Sequence, residues 1–296
     1  MPSTRDIRRR IKSVKNTAQI TKAMQLVAAA KMKKAQDQAV SGRAYADMMN
    51  QVLVSLKAKI EDISHPFFAE GTGGKELVLV ITSDKGLCGA LNTNLLRKVY
   101  QSCGADVEFV SIGRKGAQQL GRLKKNLVAD FPIKDPAQFV EIRTVGRHLQ
   151  ERFLTGEYKT IRVAFNNFVN TVTIVPTIET LLPVNPVTLG GKRSYEGMGG
   201  IMEVKEAAGL SPQYTFEPSP SAVFEAILPQ YVNNTLYQML LEARASEHSS
   251  RMVAMKNATD NAKDLIKDLT LEYNKLRQAS ITNELLEIST AKMALG

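Results

Sequence analysis

The sequence predicts an α/β fold in which one Rossmann-like α/β domain is inserted between two long helices that pair as an antiparallel coiled coil. Three observations predict it. No proline interrupts residues 3–65, and apolar residues recur there at helical spacing. From Pro220 to the end only Pro229 stands against a second helical pattern of similar kind. Between the two, runs of β-branched residues alternate with helical runs. The expected divisions are 1–68 for the first helix, 69–215 for the α/β domain and 216–296 for the second helix.

The first helix has a capping-box-like start in Ser3 and Asp6. Ile7, Ile11, Val14, Ala18, Thr21 and Met24 form a stripe, which Tyr45, Met49, Val52, Leu56, Ile60 and Ile63 continue. Pro66 disfavours helical backbone at His65, so the helix should stop there. In the middle, "ELVLVIT", "DVEFVSI" and "TIRVAFNNFV" read as strands, with helices at 90–102, 113–122 and 136–154. That alternation argues a parallel or mostly parallel sheet. The stretch 182–204 is rich in Gly and Pro and reads as an irregular excursion. The second helix starts on Ser219 and Pro220, a cap followed by proline at the first helical position. Pro229 should kink it. Met255, Ala258, Ala262, Leu265, Leu269 and Leu276 give it a coiled-coil seam whose partner is the first helix. It is longer by roughly 15 residues, so "QASITNELLEISTAKMALG" should overhang as a single, lightly charged helix.

Composition narrows the function classes. The 44% hydrophobic content suits a protein with a core, and no apolar run is long enough to span a bilayer. The basic N-terminus lacks the apolar stretch of a secretory signal, which points to the cytoplasm. Cys88 and Cys103 form no C-x-x-C pair, and the three histidines are scattered, so neither a disulfide nor a metal site is expected. Residues 1–60 hold thirteen Lys or Arg against three Asp or Glu, which accounts for the whole net charge of +10. A basic helix suits nucleic acid, an acidic protein or a membrane surface. Nucleic acid fits poorly, because Ile11, Val14 and Ala18 commit one face to a partner helix and no aromatic platform interleaves with the lysines.

The turn "SDKGLCGALN" joins a strand to a helix, as a phosphate loop does. It is nevertheless a poor one. Lys85 precedes both Gly86 and Gly89, no Ser or Thr follows them to hold magnesium, and two glycines fall short of G-x-G-x-x-G. A nucleotide-dependent enzyme therefore lacks its motif, and no base–nucleophile pair is evident. A plain glycine turn, an anion site at the helix start and an exposed protein-contact loop remain open, the last being preferred.

Three segments resemble the gamma subunit of the bacterial F-type ATP synthase: "IRRRIKSVKNTAQITKAMQLVAAAKMKKAQ" at 7–36, "TSDKGLCGALN" at 82–92, and the run from Leu241 to Ile288. The resemblance implies a central rotor shaft. It couples proton flow through the membrane c-ring to ATP synthesis or hydrolysis on the beta subunits, and it has no catalytic site, cofactor or metal of its own. It implies partners in the alpha and beta subunits, epsilon and the c-ring, no nucleic acid, and contact with the membrane only through the complex, on the cytoplasmic face. By matching motif it assigns partner contacts to Lys22 and Met24, to Asp84 and Lys85 in the glycine turn, and to Arg277, Gln278, Thr282 and Glu284 in "LRQASITNE". Met24 also fits the seam, and the Thr282 hydroxyl can satisfy its own backbone. Nothing beyond Ile288 is assigned, and no redox switch is expected of Cys88 and Cys103.

Overall fold

The computed structural model describes residues 3–57, 65–104, 106–184 and 215–294. In chain order the elements are α1 (Thr4–Lys57), a 3-10 turn (Pro66–Phe68), β1 (Lys75–Ile81), α2 (Leu91–Ser102), β2 (Val107–Ile112), α3 (Arg114–Arg122), β3 (Leu127–Phe131), α4 (Phe139–Leu154), β4 (Tyr158–Phe168), β5 (Ile174–Leu182) and α5 (Pro220–Ala294). Two compact units result, Met1–Ala28 with Arg251–Gly296, and Ala29–Ser250. The expected divisions followed secondary structure, whereas these units follow packing. Long parts of α1 and α5 therefore belong to the α/β unit.

The α/β unit is built on one five-stranded sheet of order β3-β2-β1-β4-β5. The pairs β1–β2, β1–β4 and β2–β3 are parallel, while β4–β5 is an antiparallel hairpin. Asn170 turns that hairpin, its Oδ1 accepting the amides of Val172 and Thr173 at 2.9 and 2.7 Å. The sheet is mostly parallel, as expected, and both faces are covered. Alternate residues of β1 sort the core. Leu77, Leu79 and Ile81 point to one side, with Ile142 and Leu149 of α4, Leu53 and Leu56 of α1, and Leu236 and Leu240 of α5. Val78 and Val80 point to the other, with Leu95 and Val99 of α2 and Leu120 of α3. Burying each such side chain contributes roughly 1.5–3 kcal/mol.

β3 and β5 were not foreseen. β3 has five residues and only partial burial, and β5 carries Pro176, which a strand tolerates at a sheet edge. The stripe on α1 also shifts within this unit. Tyr45 is half exposed, while Ala46, Met49, Leu53 and Leu56 are the buried positions. The Gly- and Pro-rich stretch lies outside the described residues from 185 onward, as do Ile60, Ile63 and the end of the first helix before His65.

The coiled-coil unit is antiparallel. Thr21 Oγ1 and Thr259 Oγ1 share a hydrogen bond of 2.7 Å, and Arg8 bonds the Tyr273 hydroxyl with its guanidinium 5.3 Å from that ring. Later residues on one helix meet earlier ones on the other. On α1 the stripe Ile7, Ile11, Val14, Ala18 and Thr21 faces inward as expected. On α5 the seam is Met255, Thr259, Ala262, Ile266, Leu269, Tyr273 and Leu276, at spacings of four and three. Leu265, expected in the seam, is 41% exposed, and its neighbour Ile266 takes the place. Two adjacent apolar residues fitted a three-or-four spacing equally, and polar Thr259 was passed over. Ser3 caps α1 as expected: its Oγ accepts the Asp6 amide at 3.2 Å, and Asp6 Oδ2 accepts the Ser3 amide at 3.3 Å. The start of α5 is also as expected, with Ser219 Oγ accepting the Ala222 amide at 3.3 Å. The helix is continuous through Pro229.

Candidate functional site

A doubly wound sheet binds ligands outside the carboxyl ends of its strands, where the strand order reverses. Here that place lies between β1 and β4. It is filled by α5. Ser246 Oγ donates to the Asn166 carbonyl at the end of β4 at 2.9 Å. Ser249 Oγ donates to the Thr171 carbonyl in the β4–β5 hairpin at 2.9 Å. Ser250 Oγ donates to the Cys88 carbonyl in the glycine turn at 2.7 Å. Ser246 and Ser249 are fully buried. One carbonyl at the end of β4 and two in the adjoining connections are thus capped by the chain's own helix.

The glycine turn is closed on itself. Ser83 N donates to Asn92 Oδ1 at 3.2 Å, Asn92 Nδ2 returns a bond to Ser83 Oγ at 2.8 Å, and Ser83 Oγ donates to the Lys85 carbonyl at 2.8 Å. Gly89 takes a φ of 61°, which the turn requires and glycine allows. The Cys88 side chain is buried against Asn92 and Ser83. Asp84 is half buried and engaged within the chain: Oδ1 accepts the Arg114 amide at 3.1 Å, and Oδ2 lies 3.5 Å from Arg244. Lys85 and Leu87 are exposed, Leu87 by 61%. Of the two residues expected to meet a partner here, Lys85 points outward and Asp84 orders the turn.

Beside the turn lies a network of buried charge that was not expected. Arg244, 4% exposed, donates to Glu247 at 2.9 Å and to the Ile133 carbonyl at 3.0 Å, in addition to its contact with Asp84. Asp135 lies 3.4 Å from His248 Nε2 and accepts from Lys31 Nζ at 2.6 Å. Those two partners, His248 foremost, hold the Asp135 carboxyl well below the usual carboxylate range against the opposing effect of burial. A cavity of about 170 Å³ touches Lys31, Asp135 and Arg244, whose charges are already balanced by one another and by Glu247. From Gln238 to Ser249 every residue of α5 is buried, although many are polar. A helix buried on all sides is ordinarily apolar on all sides. The signal was present in "LEARASEHSSR", where no apolar stripe continues through a helical segment.

The remaining expected contacts lie on the coiled-coil unit. Lys22 is exposed, with Nζ 3.3 Å from Gln25 Oε1, and Met24 is half buried at the edge of the seam. Arg277, Gln278, Thr282 and Glu284 are all exposed. Thr282 Oγ1 donates to the Gln278 carbonyl at 2.9 Å, and Glu284 accepts from Ser280 at 3.2 Å. The two groups are not one site. Thr259 lies opposite Thr21, so Arg277 stands about 28 Å further along the axis than Lys22 at 1.5 Å per residue. Beyond Leu276 every described side chain of α5 is exposed, apolar ones included: Ile281, Leu285, Leu286, Ile288 and Met293. Among the described residues no helix is long and apolar enough to cross a membrane, and no cluster of His, Cys, Asp or Glu could hold a metal.

Comparison with known proteins agrees along the whole chain. The family described as ATP synthase matches residues 3–295. The ATP synthase gamma chain of Opitutus terrae is 47% identical over 294 residues, covering 99% of each chain. That of Akkermansia muciniphila is 46% identical, covering all of both. Among solved structures, a chain of the Euglena gracilis mitochondrial ATP synthase in an assembly of OSCP, F1 and c-ring is similar in fold, with a TM-score of 0.65 and 20% identity. That likeness covers 99% of this chain and 94% of the other. A chain of the same enzyme's rotor gives a TM-score of 0.62 over 94% and 98%.

Proposed function

The chain belongs to the family of ATP synthase gamma chains, and on that premise we propose that it is the central rotor shaft of an F-type ATP synthase, turning between a membrane c-ring and the beta subunits. The observation that carries this reading is the filled crevice. The place where an α/β enzyme would hold a nucleotide is occupied by Ser246, Ser249 and Ser250 of α5. The α/β unit is then a mount for a helix, and catalysis belongs to the partners.

The coiled coil suits a part that carries torque, since paired helices resist bending better than one. Its exposed C-terminal end presents Ile281, Leu285 and Ile288 to an apolar sleeve formed by the alpha and beta subunits. Arg277 and Gln278 hydrogen-bond a beta-subunit loop once per turn, while Glu284 stays with Ser280 and Thr282 with its own backbone until such a loop displaces them. Lys22 and the exposed α1 residues beside Met24 meet a second zone of beta. Exposed charge pairs there are worth about 1 kcal/mol or less, which attracts without locking. Lys85 and the exposed part of its turn meet a neighbouring subunit. Epsilon and the c-ring take the α/β unit, at the cytoplasmic face of the membrane, and the chain itself holds no cofactor. A shaft whose faces differ biases each beta site's open–closed equilibrium in turn.

Reconstitution tests the reading. Partner subunits lacking a gamma chain, incorporated into vesicles, should gain ATP-driven proton pumping when this chain is added. Full assembly with no pumping, or ATP turnover by the chain alone, contradicts it.

A further inference from the structure

We propose that Ser246, Ser249 and Ser250, together with Arg244 and His248, are keys that lock α5 against turning or sliding inside the α/β unit, and so make that unit and the helix one torque-bearing body. The proposal rests on the rotor reading and adds to it the place where torque passes between sheet and helix.

The argument begins with what cannot hold a helix under torque. Apolar burial is non-directional, so a greased helix can roll within its sheath at little cost until a side chain is exposed. Hydrogen bonds and ion pairs to fixed backbone groups have direction and resist rolling. α1 and α5 differ inside the α/β unit in how deeply such ties are buried, those of α1, from Lys31 to Asp135 and from Tyr45 to Gln230, being exposed. α1 enters the core through Met49, Leu53 and Leu56. From Gln238 to Ser249 α5 is buried on all sides, and Arg244, Ser246, His248 and Ser249 there bind elements around it.

The keys point in nearly every direction. At about 100° per residue, and taking Arg244 as zero, His248 lies near 40°, Ser249 near 140°, Ser246 near 200° and Ser250 near 240°. The widest gap is about 120°, so no open half-circle remains through which the helix could roll out. The anchors are equally spread. Arg244 reaches the Ile133 carbonyl and His248 reaches Asp135, both in the segment after β3. Ser246 reaches the end of β4, Ser249 the β4–β5 hairpin, and Ser250 the turn after β1. Three connections of the sheet, with the end of β4, therefore grip one length of helix of about two turns. Serine is suited to this task because its hydroxyl reaches a neighbouring carbonyl while its small volume lets the helix approach the strand ends.

The test uses the assembled enzyme in vesicles. A triple variant, Ser246→Ala with Ser249→Ala and Ser250→Ala, is compared with wild type and with Leu149→Ala, which removes apolar packing from α4 in the same core. The readout is protons pumped per ATP hydrolysed against an opposing gradient. Each lost bond should raise slipping under load about fivefold, so the triple variant's ratio falls as the gradient steepens. Leu149→Ala lowers thermal stability and leaves the ratio at the wild-type value. Ser250→Thr, which keeps a hydroxyl, restores the ratio lost in Ser250→Ala. A wild-type ratio in the triple variant overturns the keys. If the triple variant does not assemble, the three single variants carry the test, and a wild-type ratio in all three overturns the proposal equally. Failure of the rotor reading looks different: wild-type complexes would then pump alike with and without this chain, and the keys would fall with it.

Discussion

One helix contains two opposite inversions of the usual inside–outside pattern. In α5 from Gln238 to Ser249, polar and charged residues are buried on every side. Past Leu276 the same helix exposes Ile281, Leu285, Leu286 and Ile288, the last by 67%. Buried polar groups and exposed apolar groups are the two informative departures from ordinary burial. In the first stretch Arg244, Ser246, Glu247, His248 and Ser249 find partners inside the chain, so the burial grips. In the second the apolar groups find no cover among the described residues, which is the kind of exposed patch that marks an interaction surface. The contrast separates where the helix is held from where it acts.

The largest effect that would break this contrast comes from Arg244. Arg244→Ala leaves Glu247 and Asp84 without their guanidinium, and breaking a buried ion pair from one side costs about 3–5 kcal/mol. Chemical denaturation of the purified chain should show the midpoint falling steeply. A change below the scatter of surface substitutions would mean the network is not buried in solution.

A smaller effect is expected in the coiled coil. Ala262→Asp buries an unpaired carboxylate in the seam, which costs several kcal/mol locally. Helicity by circular dichroism should fall and assembly should suffer. An unchanged melt would remove the seam assignment of Met255 to Leu276.

Acid supplies a milder probe. Asp135 has its carboxyl lowered by His248 and Lys31, so its contribution is fully present above the unfolded value near pH 4 and is lost as pH falls toward the folded value. Asp135→Asn should therefore be less stable than wild type at neutral pH and should lose less stability on acidification below about pH 4. Parallel acid titrations of the two proteins would remove Asp135 from the network.

The smallest effect on stability belongs to the exposed end. Arg277→Ala with Gln278→Leu changes side chains that bear on no core, so stability should move by about 0.5 kcal/mol or less. ATP hydrolysis and pumping should nevertheless fall, because each lost charge-assisted bond to a partner is worth roughly 1.5–3 kcal/mol. Native gels and vesicle assays on the same preparation separate the two quantities. Wild-type rates in a correctly assembled complex would withdraw the contact role of "LRQASITNE".

The same contrast explains what was legible in the sequence. Long helices, the capping box at Ser3 and the strands β1, β2 and β4 were readable because period, caps and β-branched runs are local signals. β3 and β5 were not, since short edge strands bury little, and Pro176 read as a break. In the seam, Leu265 was preferred to Ile266 because hydropathy alone cannot choose between adjacent apolar residues. The register is decided by pairs such as Thr21 with Thr259, 238 positions apart. The exposed contacts were reached through resemblance of motif, as exposure cannot be read from composition. The keys were missed because Ser246 and Ser249 look like solvated helix positions until the strand ends they bind are known.

The most direct measurement follows one particle. Val172, 86% exposed at the β4–β5 hairpin, offers a site for a cysteine far more accessible than buried Cys88 or half-buried Cys103. With Val172→Cys carrying a bead and the catalytic head fixed to glass, ATP should drive the bead in one direction, and the triple serine variant should stall under viscous load at lower torque than wild type. A bead that stays still while the fixed complex hydrolyses ATP would contradict the account at its centre.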